Sequence, residues 1–116
     1  MDAVGVIMKK DDISDKISIL VDATINEIPG IEKIYLFGSY AYGKPDKDSD
    51  FDLMVITDNE INDVILSVAE IRYKTWGKVG IFDMLVYSEK TFNARKEKYH
   101  LENKVFTEGK VIYERV

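Results

Sequence analysis

The sequence predicts an α/β fold with its elements in the order α-β-β-α-β-α-β. Short segments rich in branched and aromatic residues alternate with longer stretches of helical periodicity, glycine stands at most of the junctions, and no repeat or low-complexity tract interrupts the pattern. At 116 residues and 13.3 kDa, the chain has the size of one domain, so residues 1–116 are read as one folding unit.

Ile13, Ile17, Leu20, Val21, Thr24 and Ile28 recur at helical spacing before Pro29-Gly30, which predicts a first helix over 13–28. Ile31 to Phe37 (IEKIYLF) reads as a buried strand ending at Gly38. Residues 38–50, GSYAYGKPDKDSD, carry the densest turn chemistry in the chain, and Phe51 to Thr57 (FDLMVIT) is the second strand. Thr57 and Glu60 are spaced as a capping box, and Ile61, Val64, Ile65, Val68, Ala69 and Ile71 predict a helix over about 60–74. Trp76 and Gly77 close that segment, with Trp76 read as a packing residue, and IFDMLVY predicts a third strand over about 81–87. Ser88 fits the N-cap of a last helix in which Phe92, Tyr99, Asn103 and Phe106 share one face. Gly109 is expected to end it as a left-handed C′ residue, and Lys110 to Glu114 forms a fourth short strand.

Composition removes several function classes. Hydrophobic residues make up 46% and charged residues 32%, and with only two prolines the chain is expected to fold rather than act as a linker. Zero cysteines exclude a disulfide scaffold, a thiolate zinc site, a cysteine nucleophile and an iron–sulfur cluster. The one histidine, His100, has no second imidazole to work with and is read as a surface or packing residue. A net charge of −5 speaks against duplex binding, so nucleic acid is not an expected partner. No apolar run reaches the length of a membrane span, and the start MDAVGVIMKKDD lacks the order of a secretory signal; a cytoplasmic protein without a membrane partner is expected.

The chemistry concentrates around two acids. Asp50 and Asp52 flank Phe51 at a strand entrance, so the two-residue period sends both carboxylates to one face, about 6.6 Å apart by strand rise. Two ionised carboxylates that close need a cation or a proton between them, and oxygen ligands without a thiol suit Mg²⁺. The alternative is a polar strand entrance with both side chains solvated. Asp83 lies inside the apolar strand IFDMLVY, sharing a face with Ile81, Leu85 and Tyr87, where a lone carboxylate is costly. If the second and third strands are neighbours, Asp83 joins Asp50 and Asp52 in holding two metal ions; on an edge strand it would instead face water.

Gly38-Ser39 directly follows the first strand, where a residue without Cβ lets backbone N–H groups approach a phosphate and Ser39 adds a hydroxyl. Gly38 and Gly43-Lys44 mimic the spacing of a phosphate loop, but Pro45 replaces the hydroxyl residue and disfavours a helix starting at Lys44, so that reading is set aside. Tyr40 and Tyr42 are read as packing residues, with stacking on a nucleotide base as the alternative. Lys90, Arg95, Lys96, Lys98 and Lys104, interleaved with Glu89, Glu97 and Glu102, are read as a solvated helix face.

Gly38-Ser39, ten intervening residues, Asp50-Phe51-Asp52 and a later strand Asp83 together resemble the DNA polymerase β-like nucleotidyltransferase superfamily, and within it the minimal nucleotidyltransferase (MNT) domains. The likeness runs over most of the chain, from the leading helix to the terminal EGKVIYE. It implies a mixed β-sheet flanked by helices, with Asp50, Asp52 and Asp83 as ligands of Mg²⁺, two ions in all, and Asp83 as a base as well. Gly38, Ser39 and Ser49 would hold the triphosphate of ATP. Many relatives carry an arginine inside the loop, where this chain has Tyr40, Tyr42 and Lys44.

MNT proteins of this size often act as antitoxins that transfer AMP to a tyrosine of a HEPN toxin, and larger relatives that modify small molecules carry an extra acceptor domain. The resemblance therefore implies a Mg²⁺-dependent protein adenylyltransferase with a HEPN-type partner. Two alternatives remain: a small-molecule nucleotidyltransferase that completes its acceptor pocket as a homodimer, and a catalytically silent antitoxin that acts by binding.

Overall fold

The computed structural model describes residues 3–45 and 49–116, with side chains from residue 13 onward. Asp46-Lys47-Asp48 of the turn-rich segment lie outside the described residues. The elements are α1 (Ala3–Glu27), β1 (Ile31–Phe37), α2 (Ser39–Tyr42), β2 (Phe51–Thr57), α3 (Val64–Lys74), β3 (Phe82–Ser88), α4 (Glu89–Lys96), α5 (His100–Glu108) and β4 (Lys110–Glu114). The α/β order read from the sequence is the observed one, with a single helical turn, α2, added between the first two strands and the last helix divided in two.

Four strands form one mixed sheet in the order β3-β2-β1-β4. β1 pairs antiparallel with β2 and with β4, whereas β2 and β3 run parallel. Parallel neighbours need a crossover connection, and α3 provides it. The central strands are buried on both sides, as the unbroken apolar run Leu53 to Ile56 requires. Alternation then sorts side chains between two cores. Phe51, Leu53 and Val55 join Leu20, Ile28 and Ile71 under α1 and α3, while Met54 and Ile56 join Tyr35, Phe92 and Val105 under α4 and α5. Each such fully buried side chain contributes about 1.5–3 kcal/mol relative to exposure.

Local chemistry departs from sequence expectation at four places. Thr57 and Glu60 do not cap α3: the Thr57 hydroxyl donates to the Asn59 carbonyl at 2.6 Å, and the Glu60 carboxylate accepts from Ser88 Oγ at 2.6 Å and Thr91 Oγ1 at 2.8 Å. Helix α3 accordingly starts later, after Asp63 at φ 54°, a left-handed conformation that a short acidic side chain tolerates. Ser88 does cap α4, accepting from the Thr91 amide at 3.1 Å.

The predicted last helix breaks at residues 97–99. Glu102, only 1% exposed, pairs with Arg95 across the break, and Asn103 Nδ2 donates to the Lys96 carbonyl at the end of α4. Val105 and Glu102 are therefore buried in place of Tyr99 and Asn103. Gly109 is extended (φ −66°), not left-handed; glycine is needed there because a Cβ would meet the Val105 carbonyl oxygen at 2.5 Å. Trp76 is 82% exposed, against its reading as a packing residue.

Glu60 joins the loop after β2 to the start of α4, and the hydrogen bonds from Ser88 and then Thr91 hold its carboxyl below the ordinary value of 4.5. A lowered folded value contributes stability above about pH 4.5 that is lost as pH falls through the folded value. Thermal melts of wild type and Glu60→Gln are expected to differ at pH 6, with wild type the more stable, and the difference to shrink as pH is lowered below 4.5.

Candidate functional site

The second and third strands are neighbours, and their register sets Asp52 of β2 directly beside Asp83 of β3. On the other side of Asp52, β1 contributes Phe37, so one row across the sheet runs Phe37, Asp52, Asp83 and ends beside Gly38. By strand alternation Asp52 lies on the same face as Met54 and Ile56, the face covered further along by α4 and α5. Asp50 sits one residue before the strand and is exposed, and Asp83 is exposed on the edge strand; Asp52 is half-buried. Asp83 thus neighbours Asp52 and also faces water.

Burial raises the Asp52 carboxyl above its ordinary value, and the charges of Asp83 and then Asp50 raise it further. The three acids are near enough to repel. Repulsion is tolerated because the surrounding strand is pinned: the Phe51 amide donates to the Ile81 carbonyl at 3.1 Å, and Arg72 Nη1 donates to the Phe82 carbonyl at 2.7 Å with its guanidinium over the Phe82 ring at 4.4 Å. Arg72 therefore fixes the backbone next to Asp83 from α3. Among the described residues, no three Asp, Glu or His side chains close around one metal position. The donor chemistry still suits Mg²⁺, which uses one or two carboxylates and keeps water for the rest, and a cation is what the mutually repelling pair Asp52 and Asp83 lacks.

Gly38 has φ 72°, and a Cβ there would come within 2.1 Å of Asp52 Oδ2. Glycine is required for the backbone turn and for the space the Asp52 carboxylate occupies. Helix α2 starts immediately at Ser39, with the Ala41 and Tyr42 amides donating to the Gly38 carbonyl at 3.0 and 2.9 Å. Helix geometry here begins well before Lys44, which differs from the phosphate-loop pattern set aside above. Ser39 is exposed at the head of this turn, and Ser49 is half-buried next to Asp50.

The two loop tyrosines separate. Tyr40 stacks on Phe51, centroids 4.5 Å apart and 19° between planes, so it packs under α1. Tyr42 lies on the opposite side, with Lys104 of α5 over its ring at 4.7 Å and its hydroxyl buried without a hydrogen-bond partner among the described residues. Burial, Glu108 and Asp52 together raise the Tyr42 phenol above its ordinary value. The basic residues read as a solvated face are in part committed to rings: Lys96 lies over Phe106 at 3.8 Å, and Arg95 over Tyr99 at 4.4 Å. A cavity of about 340 Å³ opens beside Asp50, lined among others by Lys16, Tyr40, Ser49 and Ile81. Another, of about 250 Å³, lies at the far end of the sheet between Glu32, Glu89 and Arg115, away from these acids.

Sequence reading missed Arg72, which ties down the backbone beside Asp83, and Lys104, which lies over the Tyr42 ring. Nothing in spacing could have found them, since α3 and α5 bring them there through tertiary packing.

Residues 20–116 match the family model described as polymerase beta, nucleotidyltransferase. The chain belongs to this family. A Methanocaldococcus jannaschii protein named as a protein adenylyltransferase is 36% identical over 83 residues, covering 72% of this chain and 79% of that one. Among solved structures, a chain of a toxin-antitoxin complex with AMP-PNP superposes with a TM-score of 0.62 at 22% identity, over 85% of this chain and 73% of that one. A chain from the complex of a tri-AMPylated Shewanella oneidensis HEPN toxin with its MNT antitoxin gives 0.59 at 19% identity, over 88% and 72%. A Sulfolobus solfataricus protein described as a nucleotidyltransferase gives 0.58 at 16%, over 90% and 86%. At these identities the structural likeness concerns the nucleotidyltransferase fold.

Gly38→Ala tests the close approach at the site. At φ 72° and ψ −148°, a region open essentially to glycine, an alanine costs about 1–3 kcal/mol, and the new methyl group displaces the Asp52 carboxylate. The variant is expected to unfold at lower denaturant by that amount while keeping its circular dichroism spectrum, and to lose nucleotide binding measured by calorimetry.

Proposed function

We propose that this chain is a Mg²⁺-dependent adenylyltransferase that transfers AMP from ATP to a protein acceptor, a tyrosine of a HEPN-type toxin, and so serves as an MNT-type antitoxin folded as one domain over residues 1–116. The observation that carries the reading is the in-register pair Asp52 and Asp83 beside the Gly38-Ser39 turn. The relative named as a protein adenylyltransferase and the toxin-antitoxin neighbours support the choice of a protein acceptor.

In this reading Asp50, Asp52 and Asp83 hold Mg²⁺, which when bound supplies Lewis-acid stabilisation of phosphate charge. Gly38 allows the backbone to approach the triphosphate, while the Ser39 and Ser49 hydroxyls donate to its oxygens. In this reading Asp83, exposed on β3, takes the proton of the incoming acceptor hydroxyl. The acceptor oxygen bonds to the α-phosphorus, the bond from that phosphorus to the bridging oxygen breaks, and pyrophosphate leaves. Exposure of Asp50 ahead of β2 and of Asp83 on the edge strand β3 leaves room for a macromolecular acceptor.

Incubation with α-labelled ATP, Mg²⁺ and the protein encoded next to this chain is expected to label a tyrosine of that neighbour. Asp50→Asn and Asp52→Asn are each expected to reduce labelling at least about a hundredfold. Equal labelling by these variants, or none by wild type, overturns the reading. Pyrophosphate release with a small-molecule acceptor and no protein label would point to the homodimeric small-molecule enzyme, and toxin neutralisation without metal-dependent ATP binding to a silent antitoxin.

A further inference from the structure

A triphosphate placed against Asp50, Asp52 and Asp83 brings more negative charge to a face that already holds three carboxylates with Glu108 nearby, so a protein cation on that face favours its binding. The described cations differ in their availability. Arg95 pairs with buried Glu102, Arg72 is committed to the Phe82 carbonyl, and Lys96 lies over Phe106. Lys16 borders the cavity beside Tyr40 under α1, on the other side of α2 from Tyr42. Lys44 is exposed in the loop.

Lys104 stands apart from these. Its neighbour Val105 is buried with Met54 and Ile56, which places this part of α5 on the face that bears Asp52. Its ammonium lies 4.7 Å from the Tyr42 ring centroid and, among the described residues, forms no ion pair. Tyr42 belongs to the same helical turn that Ser39 begins, and its hydroxyl lies within electrostatic reach of Asp52. Lys104 is a half-buried residue, and an ammonium over an aromatic face keeps its three donors for an incoming acceptor.

We propose that Lys104 is a phosphate-binding residue of the nucleotide site, delivered by α5 and held in place by the Tyr42 ring. The inference rests on the nucleotidyltransferase reading above and adds a residue from the C-terminal helix to it. The cation–π contact orients the side chain before nucleotide arrives, which lowers the ordering cost of a flexible lysine. A charge-assisted bond from the ammonium to a phosphate oxygen then contributes to affinity for the polyphosphate and not for the nucleoside.

Titrations of wild type, Lys104→Met and Lys104→Arg with MgATP and with adenosine test this directly. Lys104→Met is expected to weaken MgATP binding about tenfold and adenosine binding less than twofold, and Lys104→Arg to restore MgATP affinity to within about threefold of wild type. Unchanged MgATP affinity in Lys104→Met overturns the proposal while leaving the transferase reading in place. Equal weakening for MgATP and adenosine, or no recovery in Lys104→Arg, assigns Lys104 a packing role and overturns it as well. Absence of MgATP binding by wild type overturns both readings.

Discussion

The parallel pairing of β2 with β3 is the constraint on which the site depends, because it holds two carboxylates side by side against their own repulsion. Burial, and after it the charge of Asp83, raises the Asp52 carboxyl; left to electrostatics, Asp52 and Asp83 would separate. Buried apolar side chains on the same two strands, Leu53, Val55, Phe82 and Met84, oppose it. A slip of one residue would turn Asp52 toward the α1 and α3 core and Leu53 out of it, so the register that packs the core is also the register that aligns the acids. Stability and chemistry here follow from one set of contacts.

Three features around that pair convert a strained arrangement into a usable one. The α3 crossover brings strands together that are far apart in sequence, and Arg72, carried by the same helix, ties down the backbone beside Asp83. Gly38 vacates the volume that the Asp52 carboxylate fills and turns the chain directly into α2. The edge position of β3 leaves Asp83 open to solvent, where a reacting group has access.

The C-terminal part completes the same face. The break between α4 and α5 is held by buried Glu102, which pairs with the partly exposed Arg95 and accepts from the hydroxyl of Tyr87 at 3.3 Å. Removing Arg95 would leave the buried Glu102 charge without its ion-pair partner, a strongly destabilising change. With the break in place α5 turns back across the sheet, and Lys104 meets Tyr42 of the turn between the first two strands.

The strands were legible in the chain because β-branched and aromatic runs bounded by glycine have few other readings; β1 and β2 occupy the predicted residues, and β3 is displaced by one. The Gly38-Ser39 turn and the acids Asp50, Asp52 and Asp83 were legible for a similar reason, since charge within an apolar strand and glycine after one are local anomalies. Local pattern carried no information on the division of α4 from α5, because residues 89–108 contain neither proline nor glycine and the break is stabilised by Glu102 and Asn103 reaching back over it. The same holds for Thr57 and Glu60, whose capping spacing was overridden by partners on β3 and α4. By itself the sequence determined which segments are extended, where the chain turns and which carboxylates stand out. Only the tertiary structure decided that Asp52 meets Asp83, that Arg72 holds the backbone beside them and that Lys104 meets Tyr42, because strand order and helix docking are set by burial between residues that no local period connects.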